Sequence, residues 1–230
     1  EVEAVLDVAP PFSGVVVAEI VGNQRHPEAD RLKVCEVSDG STIISVVCGA
    51  PNAELGVKAA FAPIGANLPG GTRIEKAQLR GVWSNGMLCS AKELGIGEDG
   101  EELLAVDSDA LVGTSLREYL KLDDVILDID LTPNRGDCFS ILGVAREVSA
   151  VYRRKLKINS ISPVAEAIDE QFPVSVTAKA ACPSFFGRVI RDINVETSSP
   201  VWMKERLRRA GMRPINPVVD VTNYVMAELG

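Results

Sequence analysis

No window of the 230-residue sequence approaches 18 consecutive apolar residues, so nothing in it reads as a membrane-spanning helix. Histidine occurs once, at His26, and a lone imidazole with no nucleophile beside it does not indicate acid–base chemistry. The five cysteines, Cys35, Cys48, Cys89, Cys138 and Cys182, form no CxxC pair and no Cys/His cluster that would hold zinc. Their odd number and wide spacing read as reduced thiols of a cytosolic protein. Aromatic residues make up 5% of the chain. There is no G-x-x-x-x-G-K-[ST] phosphate loop, and no paired carboxylates stand out as metal ligands. The sequence shows no secretory leader and no initiator Met: it opens on Glu1, already alternating, and it stops on structured-looking sequence at Gly230. Both ends predict a piece of something larger.

What is present describes a soluble, globular chain, 46% hydrophobic and 24% charged, long enough for one to three domains. The net charge of −8 argues against broad RNA affinity, because that affinity comes mostly from neutralising phosphates. The charge is uneven. Residues 15–121 carry ten basic and fifteen acidic side chains, a local −5, whereas 181–215 carry seven and three, a local +4. Any nucleic-acid contact in the first part must come from a placed patch.

Residues 12–121 consist of short β-branched runs separated by glycine turns, with strands expected near 15–21, 32–37, 43–48, 57–62 and 82–89. Asp39-Gly40 is a hairpin signal, and 68–71 is a second turn. Such spacing predicts a small β-barrel, with short helices at 90–93 and 115–120. A helix follows, with Ile141, Val144, Ala145, Val148 and Val151 on one face and Asn134 or Asp137 as its cap. The strand before it, 125–130, is expected to pair with 2–8, which would make the barrel an insertion in a discontinuous α+β domain formed by 1–11 and 122–157. After a linker at 159–163, residues 164–230 read as α+β, with strands at 172–178 and 185–190. A helix over 201–210 is opened by Pro200 and closed by Gly211.

The segments HPEADRLKVC (26–35), VCGAPN (47–52), GANLPG (65–70), LRGVWSNGMLC (79–89) and ELG (93–95) resemble the tRNA-binding domain of several synthetase-associated proteins, an oligonucleotide-binding barrel. LTPNRGDC (131–138), leading into GVAR (143–146), together with WMKERLRR (202–209) and PVVDVTNY (217–224), is similar to the beta-subunit family of bacterial phenylalanyl-tRNA synthetases. The likeness runs through essentially the whole chain, in order. It implies a cytoplasmic α2β2 enzyme that charges tRNA(Phe) using ATP and magnesium. The alpha subunit would be the partner, and both cofactors would bind outside this segment, which alone should not charge tRNA. It also implies that 12–121 is the tRNA-binding barrel and 164–230 the beginning of an editing domain, where mischarged tyrosine is hydrolysed off tRNA.

The basic side chains available for a strip on the barrel are Arg31, Lys33, Arg73, Lys76, Arg80 and Lys92, and arginine's planar fork suits phosphate. His26, ahead of the second strand, either contacts RNA at the barrel mouth or opens a turn. Trp83 is either a stacking surface or a buried indole. Asn85 either bonds ribose or a base, or serves a turn. Asn134, Arg135 and Asp137, between strand and helix, either cap the helix and fix the junction or mark a helix N-terminus that holds a phosphate. Arg206, Arg208, Arg209 and Arg213 form the densest positive charge, with Arg206 and Arg209 on one helix face, suited to tRNA or to an acidic protein surface. Asp220, Thr222 and Asn223 match the start of the family's editing pocket. No residue is expected to be catalytic in this segment or to bind a metal. A free-standing tRNA-binding protein or chaperone, and a mainly structural assembly module, stand as alternatives.

Overall fold

The structure is a computed structural model that describes residues 1–158 and 160–230; Asn159, in the predicted linker, lies outside the described residues. By internal contacts the chain divides into one unit of 1–134 with 200–214, and a second of 135–199 with 215–230.

In the first unit, β-branched runs become strands wherever a partner strand can take their backbone hydrogen bonds. The strands β1 (Val2–Asp7), β2 (Val16–His26), β3 (Ala29–Ser38), β4 (Ile43–Cys48), β5 (Lys58–Pro63), β6 (Ala77–Leu79), β7 (Val82–Ser84), β8 (Gly86–Leu88) and β9 (Val125–Ile129) follow in chain order. An antiparallel five-stranded sheet has the order β4-β3-β2-β5-β8. Its ends meet, because Asn85 N–H donates to the Ser45 carbonyl at 2.9 Å and Val47 N–H to the Ser84 hydroxyl at 3.0 Å. The result is a nearly closed barrel of the oligonucleotide-binding kind, flanked by small α+β elements. β5 lies at its heart. Ala59, Ala60, Phe61 and Ala62 are all fully buried, since one face looks into the barrel and the other is covered from outside. Inside, Phe61 packs with Ile20, Val37 and Val46; outside, Ala60 and Ala62 pack with Phe12, Val17, Leu94 and Leu116.

The turns follow the local chemistry. At the β3–β4 hairpin Gly40 has φ +91°, and the Asp39 carboxylate accepts from the backbone N–H of Ser41 and Thr42 at 2.9 and 2.8 Å. These bonds hold its carboxyl at about 2, well below the usual range. The helix expected at 90–93 is a turn instead. The Glu93 carboxylate accepts from the Ser90 N–H at 2.7 Å, and Gly95, at φ +65°, ends the segment after that turn. α1 (Leu116–Tyr119) is the short helix expected near 115–120.

β1 and β9 form a separate two-stranded ribbon, with Val5 opposite Leu127. α3 (Val201–Arg209) belongs to this unit, with Leu207 buried. Its first N–H meets the Asp107 carboxylate at 3.3 Å, and Arg208 donates to the Val8 carbonyl at 3.0 Å. Gly211, at φ +74°, follows its end.

In the second unit, α2 (Ile141–Tyr152) is capped by Ser140, whose hydroxyl accepts from Gly143 N–H at 3.0 Å, and not by Asn134 or Asp137. Asp137 is engaged elsewhere: it pairs with Arg135 at 3.1 Å, and Arg135 also reaches Glu147 at 2.7 Å. Several positions of the expected apolar face, Ile141, Val148 and Val151, are exposed, and Gly143 is the buried residue of α2. α4 (Pro217–Leu229) starts under Asn216, whose side chain accepts from Val218 and Val219 N–H, both at 3.1 Å. The strands expected at 172–178 and 185–190 do not form. An extended apolar run becomes a strand only when another strand satisfies its backbone, and none of the described residues pairs with these runs, whose Phe172 and Phe186 are exposed.

Candidate nucleic-acid interface

β6 and β7 make a small hairpin of their own, with Ala77 opposite Ser84, Gln78 opposite Trp83 and Leu79 opposite Val82. Alternation puts Gln78 and Trp83 on one face and Ser84 on the other. Ser84 is 3% exposed and serves as an anchor, donating to the Gly86 carbonyl at 2.9 Å while it accepts from Val47. Trp83 is 49% exposed, and the Lys76 ammonium lies 4.6 Å from its ring centroid, a cation–π contact. The tip is Arg80-Gly81, with φ +45° and +84°. A two-residue turn of this hand favours Asn-Gly, and an arginine there costs about 1 kcal/mol. Arg73, Lys76 and Arg80 are all exposed around the hairpin, with Glu75 among them.

The hairpin is held next to this tip by His26. Its ring is 5% exposed; Nδ1 accepts from Glu28 N–H at 3.1 Å, and Nε2 lies 3.1 Å from the Leu79 carbonyl. The acceptor at Nδ1 leaves the proton on Nε2, which donates to Leu79. Both ring nitrogens are therefore occupied inside the protein. Nothing in the spacing of the sequence joins His26 to Leu79, because the contact spans 53 positions.

The remaining candidates are dispersed. Arg31 and Lys92 are exposed. Lys33 is tied down by Glu54 at 2.5 Å and the Ala53 carbonyl at 3.0 Å. Asn85 is half-buried at the barrel seam, its backbone bonded to Ser45. Arg209 donates to the Leu120 and Lys121 carbonyls at 2.7 and 3.0 Å, which makes it an anchor of α3, whereas Arg206 on the same helix is exposed. Beside the hairpin an open groove is lined by Arg31, Ile74, Glu75, Leu79, Met87, Glu93, Glu101 and Glu102, among others. Its acidic lining repels phosphate, whereas the hairpin presents exposed cations.

In the second unit Asp220 is 1% exposed. It accepts from the Ser199 hydroxyl at 2.5 Å and from Ile215 N–H at 2.7 Å, which ties α4 to the segments before it. Thr222 donates to the Val218 carbonyl at 3.0 Å and lies on another face of α4 from Asp220, whereas Asn223 shares the Asp220 side. The helix does not bring the three together.

Among the described residues no group of three or more His, Cys, Asp or Glu is placed to hold a metal ion, and no helix is long and apolar enough to cross a membrane. The described residues do not fit a magnesium site. The cysteines are free, and burial pushes the Cys35 thiol up to about 11 and that of Cys89 to about 12, so neither is a nucleophile near neutral pH.

Comparison with known proteins adds the family context. Residues 15–115 match the model of a putative tRNA binding domain, and 181–230 match the B3/4 domain. The phenylalanine–tRNA ligase beta subunit of Pseudomonas fluorescens is 54% identical over all 230 residues. That of Hahella chejuensis is 53% identical over the same length. The chain belongs to the bacterial phenylalanine–tRNA ligase beta-subunit family. It spans 29% of the length of these phenylalanine–tRNA ligase beta subunits. Among solved structures, a MetRS related protein from Pyrococcus horikoshii aligns with 46% of this chain and 89% of its own at 22% identity, with a TM-score of 0.34. That score is too low to add to the beta-subunit assignment.

Proposed function

We propose that this chain is the tRNA-binding, editing-associated part of a phenylalanine–tRNA ligase beta subunit, a non-catalytic portion of an enzyme that charges tRNA(Phe) with phenylalanine. The observation that carries the reading is the succession of a tRNA-binding barrel and a B3/4 segment in a chain 51–54% identical to such subunits over its full length. In this reading the barrel is an insertion in an α+β domain formed by 1–11 and 122–157, and 164–230 begin the editing domain. An alpha subunit supplies the synthetic site in a cytoplasmic α2β2 assembly, with ATP and magnesium bound outside this chain. The barrel holds tRNA through Arg73, Lys76 and Arg80, with Arg31, Lys92 and Arg206 as outlying contacts. His26, Lys33, Asn85 and Arg209 act by holding structure, and Asp220 supports the editing segment by fixing α4 while Thr222 and Asn223 flank it.

A second reading has one observation in its favour. The β1–β9 ribbon exposes Val2, Val5, Val125 and Leu127, which suits a surface that packs against other parts of an assembly.

The test is a fluorescence-anisotropy titration of the assembled ligase against tRNA(Phe) and an unrelated tRNA at two salt concentrations. Neutralising Arg73, Lys76 and Arg80 together should weaken tRNA binding about tenfold or more while the assembly stays intact. Unchanged affinity with loss of assembly would replace the tRNA reading by the packing one.

A further inference from the structure

The β6–β7 hairpin has the chemistry of a stacking site. Its outward face carries Trp83, half exposed, with the Lys76 ammonium over the ring. The hairpin is held at both ends: His26 grips Leu79 near the tip, and Ser84 is bonded to Val47 at the base. An aromatic held this firmly loses little freedom when a ligand arrives. The local charge is limited, since Arg73, Lys76 and Arg80 are accompanied by the exposed Glu75, and the neighbouring groove is acidic. Phosphate contacts here are limited to these three cations. A ligand that offers a flat, unpaired base next to a phosphate would find both a ring and a cation.

We propose that the β6–β7 hairpin binds an unpaired stretch of RNA by stacking a base on the Trp83 indole, with Lys76 swinging from the ring to the adjoining phosphate. The inference rests on the RNA-binding reading of the barrel and narrows it to single-stranded RNA at this hairpin. Any base has a flat face, so the platform tolerates sequence and discriminates against paired RNA, whose bases are already stacked.

The experiment uses the full 230-residue chain with tRNA(Phe), a fluorescein-labelled 12-nucleotide oligouridine and a 12-base-pair RNA duplex. The single strand should bind about tenfold more tightly than the duplex. Trp83→Ala should lose about tenfold in oligouridine affinity, Trp83→Leu about as much, and Trp83→Phe should stay within about threefold, because a ring and not apolar bulk is needed. In a Trp202→Phe background, oligouridine should quench the remaining indole fluorescence. Circular dichroism of each variant keeps folding separate from binding. Equal binding of duplex and single strand, or unchanged affinity in Trp83→Ala, overturns the stacking site while tRNA binding by the chain upholds the broader reading. If the chain binds none of the three RNAs, the RNA reading falls with it. In the assembled ligase, loss of subunit assembly in Trp83→Ala without loss of RNA affinity would overturn the stacking site and assign the hairpin to a protein partner.

Discussion

His26 shows how one side chain can matter without touching a ligand. Its two nitrogens close two backbone groups, Glu28 N–H and the Leu79 carbonyl, in a pocket with almost no access to water. Removing the ring takes one hydrogen bond from each. His26→Ala should cost about 1–3 kcal/mol in urea unfolding, and hydrogen exchange should show the loss concentrated in β6 and β7. Uniform loss of protection across the barrel would mean that the ring does not act through this hairpin. Asp39 is a second residue-scale case, with the opposite exposure. Backbone N–H groups of Thr42 and then Ser41 favour its charged form, so its carboxyl titrates at about 2 in the fold against 3.8 ordinarily. A depressed folded value means that the stabilisation is complete above about 4 and is lost as pH falls towards 2. Asp39→Ala should therefore lower the melting temperature at pH 7 and narrow the difference from the parent protein by pH 2. The group is open to solvent, so the effect should be small, and a difference that grows on acidification would refute the assignment.

At the scale of elements, the sequence was readable where the fold is local and silent where it is not. The barrel strands, the Asp39-Gly40 hairpin, the pairing of β1 with β9 and the Pro200–Gly211 limits of α3 all follow from alternation, turn residues and helix signals. The two phenylalanine-rich runs after 164 carry the same β-branched and aromatic signal, but alternation says nothing about whether a partner edge exists. The candidate site divides in the same way. Arginines and lysines could be named from composition, yet which were already spoken for depended on contacts 20 to 90 positions away, such as Lys33 with Ala53 or Arg209 with Leu120. Close approach is another such property. A Cβ on Gly143 would overlap the Asp137 carbonyl oxygen, and one on Gly86 would fall 2.6 Å from the Phe61 ring, with φ already at +147°. Gly143→Ala and Gly86→Ala should each destabilise by about 2–3 kcal/mol. The first should loosen α2 and the second the barrel, as hydrogen exchange on the two segments would separate. A neutral Gly143→Ala would mean that α2 has room to move off the 136–138 turn.

At the scale of the whole molecule, charge sets what kind of RNA binder this chain is able to be. A net charge of −8 leaves little long-range attraction for a polyanion, and the acidic excess is carried by the barrel itself. Affinity must then come from a few placed contacts, and its salt dependence counts them. Three exposed cations, Arg73, Lys76 and Arg80, surround the hairpin. For single-stranded RNA each neutralised phosphate contributes about −0.7 to the slope of log K against log salt, so the expected slope is about −2. Titrations between about 50 and 200 mM salt would then show affinity falling by roughly 16-fold. Neutralising Lys76 should flatten the slope by somewhat under one, whereas Trp83→Ala should lower affinity at every salt concentration and leave the slope unchanged, since stacking releases no counterions. A slope steeper than about −4 would require more phosphate contacts than the hairpin can make, and would shift the principal RNA surface to the basic stretch at 181–215.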